Sequence, residues 1–150
     1  WDPSKTPAGH VIVRDGTMSW DAKAERPTLE GISLTATPGS LTMVVGGVGS
    51  GKSSLMSALI GHIGRLGGEV EVGGKIAYVA QTAWVMNDTL QENVLMGSPL
   101  DPVRYRAALE VSQLGPDLDI LPNGDLTEIG DRGITLSGGQ KQRVSIARAV

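Results

Sequence analysis

Leu41-Thr42-Met43-Val44-Val45-Gly46-Gly47-Val48-Gly49-Ser50-Gly51-Lys52-Ser53-Ser54-Leu55 is the stretch whose reading decides the fold. Its first five residues form a continuous apolar run bounded by turn formers, which predicts a central strand covered on both faces. The run leads directly into Gly46-x-x-x-x-Gly51-Lys52-Ser53, the phosphate-loop pattern. Glycines let the backbone curl so that successive N–H groups point inward and form an anion nest. A helix starting behind the loop adds its positive N-terminal end. Lys52 would then bridge terminal phosphates, and the Ser53 hydroxyl would ligate Mg²⁺. Leu55, Met56, Leu59, Ile60 and Ile63 recur at helical spacing, as that following helix requires. A plain glycine-rich turn could also join a strand to a helix. A loop that follows a buried strand and opens an amphipathic helix points instead to nucleoside triphosphate binding.

Upstream, His10-Val11-Ile12-Val13-Arg14 is β-rich, and Asp15-Gly16 reads as a turn before Thr17-Met18-Ser19-Trp20. The run Val11–Asp15 imitates an apolar strand ending in a metal-binding aspartate, but the turn explains Asp15 better. Ile32, Leu34 and Ala36 alternate with Ser33, Thr35 and Thr37, predicting a half-buried strand that ends at Pro38-Gly39. Downstream, Gly67-Gly68 is expected to end the helical region. Val70 and Val72 then alternate with Glu69 and Glu71, and Ile76-Ala77-Tyr78-Val79 reads as another strand. Thr89-Leu90-Gln91-Glu92 has the form of a capping box. Asp101-Pro102 should start a further helix, with Ala107, Ala108, Leu109 and Val111 inside and Gly115 as its stop. Gln140 to Val150 reads as a last helix, preceded by Leu136-Ser137-Gly138-Gly139, with Ser137 suited to its N-cap and the glycines to a tight turn. Its charged residues Lys141, Arg143 and Arg148 read as a solvated face.

Composition narrows the classes. The 150 residues are 40% hydrophobic and 19% charged, with 21 glycines and no cysteine. Disordered tails are poorer in apolar residues, and collagen needs a three-residue glycine period that is not seen. The lack of cysteine excludes a disulfide scaffold or a thiolate zinc site within this stretch. A net charge of -3 gives no global attraction to nucleic acid or anionic lipid, so a polyanion must be held locally. No apolar run reaches the roughly 18 residues of a membrane span. Trp1-Asp2-Pro3-Ser4-Lys5 is neither an initiator methionine nor a signal peptide, and the last helix carries no stop signal. The stretch therefore reads as cut from a longer protein at both ends.

The pentapeptide Leu136-Ser137-Gly138-Gly139-Gln140, downstream of a phosphate loop, resembles the signature of ATP-binding-cassette (ABC) ATPases. The resemblance runs nearly end to end. Val44 to Leu55 is similar to that family's Walker A motif. Ile76-Ala77-Tyr78-Val79-Ala80-Gln81-Thr82-Ala83-Trp84-Val85 resembles its glutamine loop. Asp125-Leu126-Thr127-Glu128-Ile129-Gly130-Asp131-Arg132-Gly133-Ile134-Thr135 resembles the segment before its signature helix. The phrasing around Gln81 and of Leu136 to Arg143 is most similar to the first nucleotide-binding domain of the multidrug-resistance-associated (C) subfamily.

This resemblance implies an α/β fold: a P-loop NTPase core with an N-terminal antiparallel β subdomain and an α-helical signature subdomain, incomplete at its C-terminus. The β subdomain and Walker A core would span about 8–82, and the helical subdomain about 83–150. MgATP would be held by Gly46, Gly47, Val48, Gly49, Ser50, Gly51, Lys52, Ser53 and Ser54, with Ser53 toward Mg²⁺ and Gln81 toward Mg²⁺ or the attacking water. Trp20 aligns with the aromatic residue that stacks on adenine, a role the broad indole face suits. Leu136, Ser137, Gly138, Gly139 and Gln140 would cap ATP held by a second nucleotide-binding domain, packed head to tail in the same polypeptide. Trp84 would pack against the membrane domain or serve as a core aromatic, and both readings stand. His10 and His62 receive no chemical role, and neither does Trp1.

The resemblance further implies the ATP-driven engine of a membrane exporter, on the cytoplasmic face of a membrane, partnered by transmembrane domains. A regulatory ABC subunit that gates a membrane partner would carry the same residues. A soluble ABC ATPase would bear coiled-coil or basic insertions, which are not seen, and nothing here suits a nucleic-acid groove. In this family the Mg²⁺-binding Asp and the water-activating carboxylate follow the signature helix. Residues 1–150 are therefore expected to hold no catalytic residue, and as an isolated piece to be hydrolytically inactive.

Overall fold

Val13 and Met18 point into one core from a single long strand, β1 (Val11–Ser19), and are almost fully buried. In the computed structural model, which describes residues 6–131 and 133–150, β1 is the middle of a three-stranded sheet. Antiparallel neighbours flank it: β2 (Leu29–Ala36) on one side and β3 (Gly64–Val72) on the other. Val13 stands opposite Leu34 and Val70, so apolar side chains of all three strands meet on one face. Helix α1 (Lys52–Leu59) covers that face with Leu55 and Ala58, and the core is completed by Leu29 and Ile63. At about 1.5–3 kcal/mol for each fully buried large side chain, this small cluster is what holds the phosphate-loop helix to the sheet.

The chain divides into two compact units, Trp1–Ile76 and Ala77–Val150. The second is mostly helical. It contains a two-residue ladder between β4 (Asp88–Thr89) and β5 (Glu128–Ile129). Its helices are α2 (Leu90–Leu95), α3 (Pro102–Val111), α4 (Gly115–Ile120) and α5 (Gly138–Ala149). Leu90, Val94, Tyr105, Ala108, Leu114, Ile129, Leu136, Val144 and Ala147 form its core. The α/β class, with an antiparallel β portion followed by a helical portion ending in the signature helix, is as the sequence implies.

Five local expectations are corrected. Leu41–Val45 is not a covered strand: it has no ladder partner, and Leu41, Met43 and Val45 are 88%, 75% and 82% exposed. A strand buried on both faces needs neighbours and covering layers, and β1, β2 and β3 pair only with one another among the described residues. The covered strand expected before the phosphate loop is therefore not formed here. Ile76–Val79 likewise lacks a ladder.

Asp15-Gly16 is a bulge inside β1 rather than a turn. Asp15 takes φ 48 and its N–H donates to Ser33 Oγ at 3.0 Å, so the strand bends without reversing. A Cβ on Gly16 would lie 2.7 Å from both Val13 and Met18, so only glycine fits inside the bend. Helix α1 ends at Leu59, before Ile63, and β3 passes through Gly67-Gly68. His62 consequently lies between the two elements and not late in a helix. Helix α3 stops at Val111, with Gln113 rather than Gly115 in the left-handed region (φ 58), and Gly115 opens α4. Within α3, Ala108 is buried whereas Val111 is 64% exposed.

Candidate functional site

The loop of the first unit is shaped by two glycines. Gly49 (φ 80) and Gly51 (φ 88) take the left-handed conformation that curls the chain into α1. Gly51 is the N-cap residue, and no side chain caps the helix, so the first backbone N–H groups of α1 open onto the loop. A Cβ on Gly46 would sit 2.6 Å from Ser50 Oγ, so a larger residue there would turn the Ser50 hydroxyl away from the loop. Lys52 Nζ donates to the carbonyls of Gly46 and Gly47 at 2.9 and 2.6 Å, which places the ammonium inside the bend of the loop. Val48 at the tip and Ser53 in the first helical turn are exposed. Open amides, a helix N-terminus and one ammonium together suit a chain of phosphates, and the exposed Ser53 hydroxyl stands in the first helical turn beside them.

Trp20 follows directly on β1 and is 58% exposed, so its ring offers a face to solvent. Its edge is fixed: Nε1 donates to Ser54 Oγ at 3.1 Å. The first unit thus brings together Trp20 and the whole of Gly46–Ser54. Gln81 belongs to the second unit, where it is exposed in a bend.

In the second unit, Ser137 caps α5 with a complete capping box. Ser137 Oγ accepts from the Gln140 N–H at 3.3 Å, and the Ser137 N–H donates to Gln140 Oε1 at 2.9 Å. Leu136 is buried and anchors the turn. Gly138 and Gly139 take ordinary helical φ, and a Cβ on Gly138 would meet nothing within 4 Å. On Gly139 it would meet only Arg143 Nη1, at 3.7 Å. Each glycine costs a helix about 1 kcal/mol relative to alanine. Nothing among the described residues requires these two, and they leave bare backbone at the exposed start of α5.

Three groupings around this site escaped the sequence reading. Arg143 is no solvated charge: its Nε and Nη2 donate to the two oxygens of Asp117 at 2.6 and 2.9 Å, and Gln140 Nε2 adds a third bond at 3.2 Å. The guanidinium, with Gln140 assisting, holds the Asp117 carboxyl below the usual carboxylate range against the opposing effect of burial. Arg148 is likewise packed. Its guanidinium lies 4.2 Å from the centre of the Trp84 ring, and its Nε donates to the Asn93 carbonyl at 2.8 Å. Burial pulls its pKa down. Trp84 itself is 51% exposed, so it is a half-open ring carrying an arginine rather than a core aromatic.

Asn93 is fully buried and ties the segment after Gln81 to α2. Its Oδ1 accepts from the Met86 N–H at 2.7 Å, and its Nδ2 donates to the carbonyls of Met86 and Thr89. On the other side of Gln81, Gln142 Nε2 donates to the Ala80 carbonyl at 3.2 Å. The one sequence signal for Asn93 was an amide three residues after Leu90, on the apolar face of α2. The Thr89 cap is half a box: Thr89 Oγ1 accepts from the Glu92 N–H, while Asp88 takes the Thr89 N–H.

The ABC transporter family model matches residues 29–150. The chain is 55% identical over 145 residues to ATP-binding cassette sub-family C member 3 of Rattus norvegicus, which covers 97% of this chain and 10% of that protein. It is 53% identical over 142 residues to ABC transporter C family member 3 of Dictyostelium discoideum, covering 93% of the chain and 10% of the relative. Identity to ABC transporter C family member 13 of Oryza sativa subsp. indica is 50% over 140 residues, 93% of the chain and 9% of the relative. The chain thus spans about a tenth of the length of these relatives. With the phosphate loop, the capped signature turn and this match in agreement, the chain belongs to the ABC transporter family.

Proposed function

We propose that this chain is the nucleotide-binding portion of a C-subfamily membrane exporter, working on the cytoplasmic face of a membrane. MgATP is held by the nest of Gly46, Gly47, Val48, Gly49, Ser50 and Gly51, by the Lys52 ammonium, and by Ser53 and Ser54. The purine stacks on Trp20. The observation that carries this reading is Lys52 Nζ, turned into the loop at 2.6–2.9 Å from two of its carbonyls beside a helix start that no side chain caps. When bound, Mg²⁺ supplies charge neutralisation between phosphate oxygens, and Ser53 and Gln81 are the residues proposed to face it. The chemistry of these two side chains fits such a group: a hydroxyl and an amide oxygen are hard donors.

The bare start of α5 serves a second domain. Gly138 and Gly139 present backbone amides with no Cβ in the way, the capping box of Ser137 and Gln140 holds them at the helix start, and Leu136 fixes the turn from below. That surface suits the terminal phosphate of a nucleotide held elsewhere, as in two domains packed head to tail within one polypeptide. Transmembrane domains complete the transporter, and ATP hydrolysis drives it through carboxylates proposed to lie outside residues 1–150. No described helix is long and apolar enough to cross a membrane.

Titration calorimetry of the full protein with MgATP tests the site. Lys52→Ala removes charge-assisted bonds worth about 1.5–3 kcal/mol, so affinity should fall at least about tenfold. Unchanged affinity in that variant, or no heat with MgATP, would falsify the reading.

A further inference from the structure

We propose, resting on the nucleotide-site reading above, that Trp20 is also a positioning residue for the phosphate cradle: its indole N–H fixes the Ser54 hydroxyl as a hydrogen-bond donor. An indole nitrogen can only donate, whereas a serine hydroxyl both donates and accepts. The 3.1 Å bond between Trp20 Nε1 and Ser54 Oγ therefore has one possible polarity, with Ser54 accepting. The Ser54 proton is left for another acceptor. Helical serines usually return that proton to a carbonyl in the preceding turn, as Ser112 does to Ala108 and Ser145 to Lys141. Ser54 stands in the first turn of α1, beside the open backbone amides, and makes no such return bond among the described residues.

Both ends of the bond are held by the same core. Met18, two residues before Trp20, and Leu55, next to Ser54, are buried together. Ser19 is buried and its Oγ donates to the Asp21 carbonyl at 2.6 Å, while the Trp20 N–H reaches Thr28 Oγ1 at 3.4 Å. The indole thus uses its edge for Ser54 and keeps its face open for a base. A consequence separates this from simple stacking: affinity for a phosphate chain with no base attached should depend on Trp20.

Titration of the full protein with Mg²⁺-tripolyphosphate and with MgATP decides the matter. Trp20→Phe keeps a ring face but removes the donor, and should weaken tripolyphosphate binding about three- to tenfold, the worth of one hydrogen bond. Ser54→Ala should do the same, and the double variant should lose no more than Ser54→Ala alone. Ser54→Thr, which keeps the hydroxyl, should preserve the sensitivity to Trp20→Phe. The proposal fails if Trp20→Phe weakens MgATP alone, or if the two losses multiply. It also fails if the unsubstituted protein does not bind tripolyphosphate. Lys52→Ala separates the two levels: a coupling failure leaves its loss of affinity intact, whereas a Lys52→Ala variant that binds normally sinks the nucleotide site itself.

Discussion

Asp117 shows how much of the signature region depends on one buried carboxylate. It receives two bonds from Arg143 and one from Gln140, and Gln140 is also half of the capping box that starts α5. The carboxyl is depressed below its ordinary value chiefly by Arg143, so its ionised form is favoured more in the folded than in the unfolded chain. The linked stability is present above the unfolded carboxylate value of about 4 and is lost as pH falls through the lower folded value. Asp117→Asn should therefore destabilise by about 1–3 kcal/mol at neutral pH, discounted because Arg143 is over a third exposed. Urea unfolding of variant and parent should converge as pH drops below about 4. A gap that persists unchanged into acid would show that the charge pair is not its source.

At the scale of elements, the link between the residues after Gln81 and α2 rests on Asn93. Its amide satisfies a backbone N–H at Met86 and carbonyls at Met86 and Thr89, and its own carbonyl receives Arg148. Asn93→Ala would strand the Met86 N–H and the Met86 and Thr89 carbonyls, at about 1–3 kcal/mol for each that water cannot reach, while the Asn93 backbone carbonyl would keep its bond from Arg148. We expect a fall of about 2–4 kcal/mol in unfolding free energy, with faster amide exchange at Met86 and at the start of α2. Exchange at Met86 matching the parent would refute that role. Such networks were not legible in the sequence, because the partners are backbone groups and long-range carboxylates that no local pattern announces. Helix starts were legible, because Asp101-Pro102 and Ser137 with Gln140 carry their caps within one turn. Strand alternation was also readable over 32–36 and 69–72, where one face is covered. The five apolar residues 41–45 misled because hydrophobicity states a need for cover without naming its source.

For the whole chain, two cores of separate composition divide the labour. Met18 and Leu55 hold the phosphate loop and Trp20 in the first unit, while Leu136 and Val144 hold the signature turn in the second. The bend of the loop into α1 and the cap of α5 could be read from the sequence because each is built from consecutive residues. The Ser54 and Arg148 contacts could not, being set by packing across distant segments. This division predicts two different responses to nucleotide in hydrogen exchange. Amides of Gly46–Ser54 should gain protection with MgATP at any protein concentration, by up to about 2.7 kcal/mol at a hundredfold excess over Kd. Amides of Ser137–Gln140 should gain protection only when a second nucleotide-loaded domain is present, because the bare start of α5 is proposed to serve another domain's phosphate. In dilute isolated chain their exchange should therefore ignore MgATP, and protection should rise with protein concentration at fixed nucleotide. Concentration-independent protection of Ser137–Gln140 in the isolated chain, with no second domain attached, would mean that the signature caps its own chain's nucleotide, and the head-to-tail arrangement would have to be abandoned.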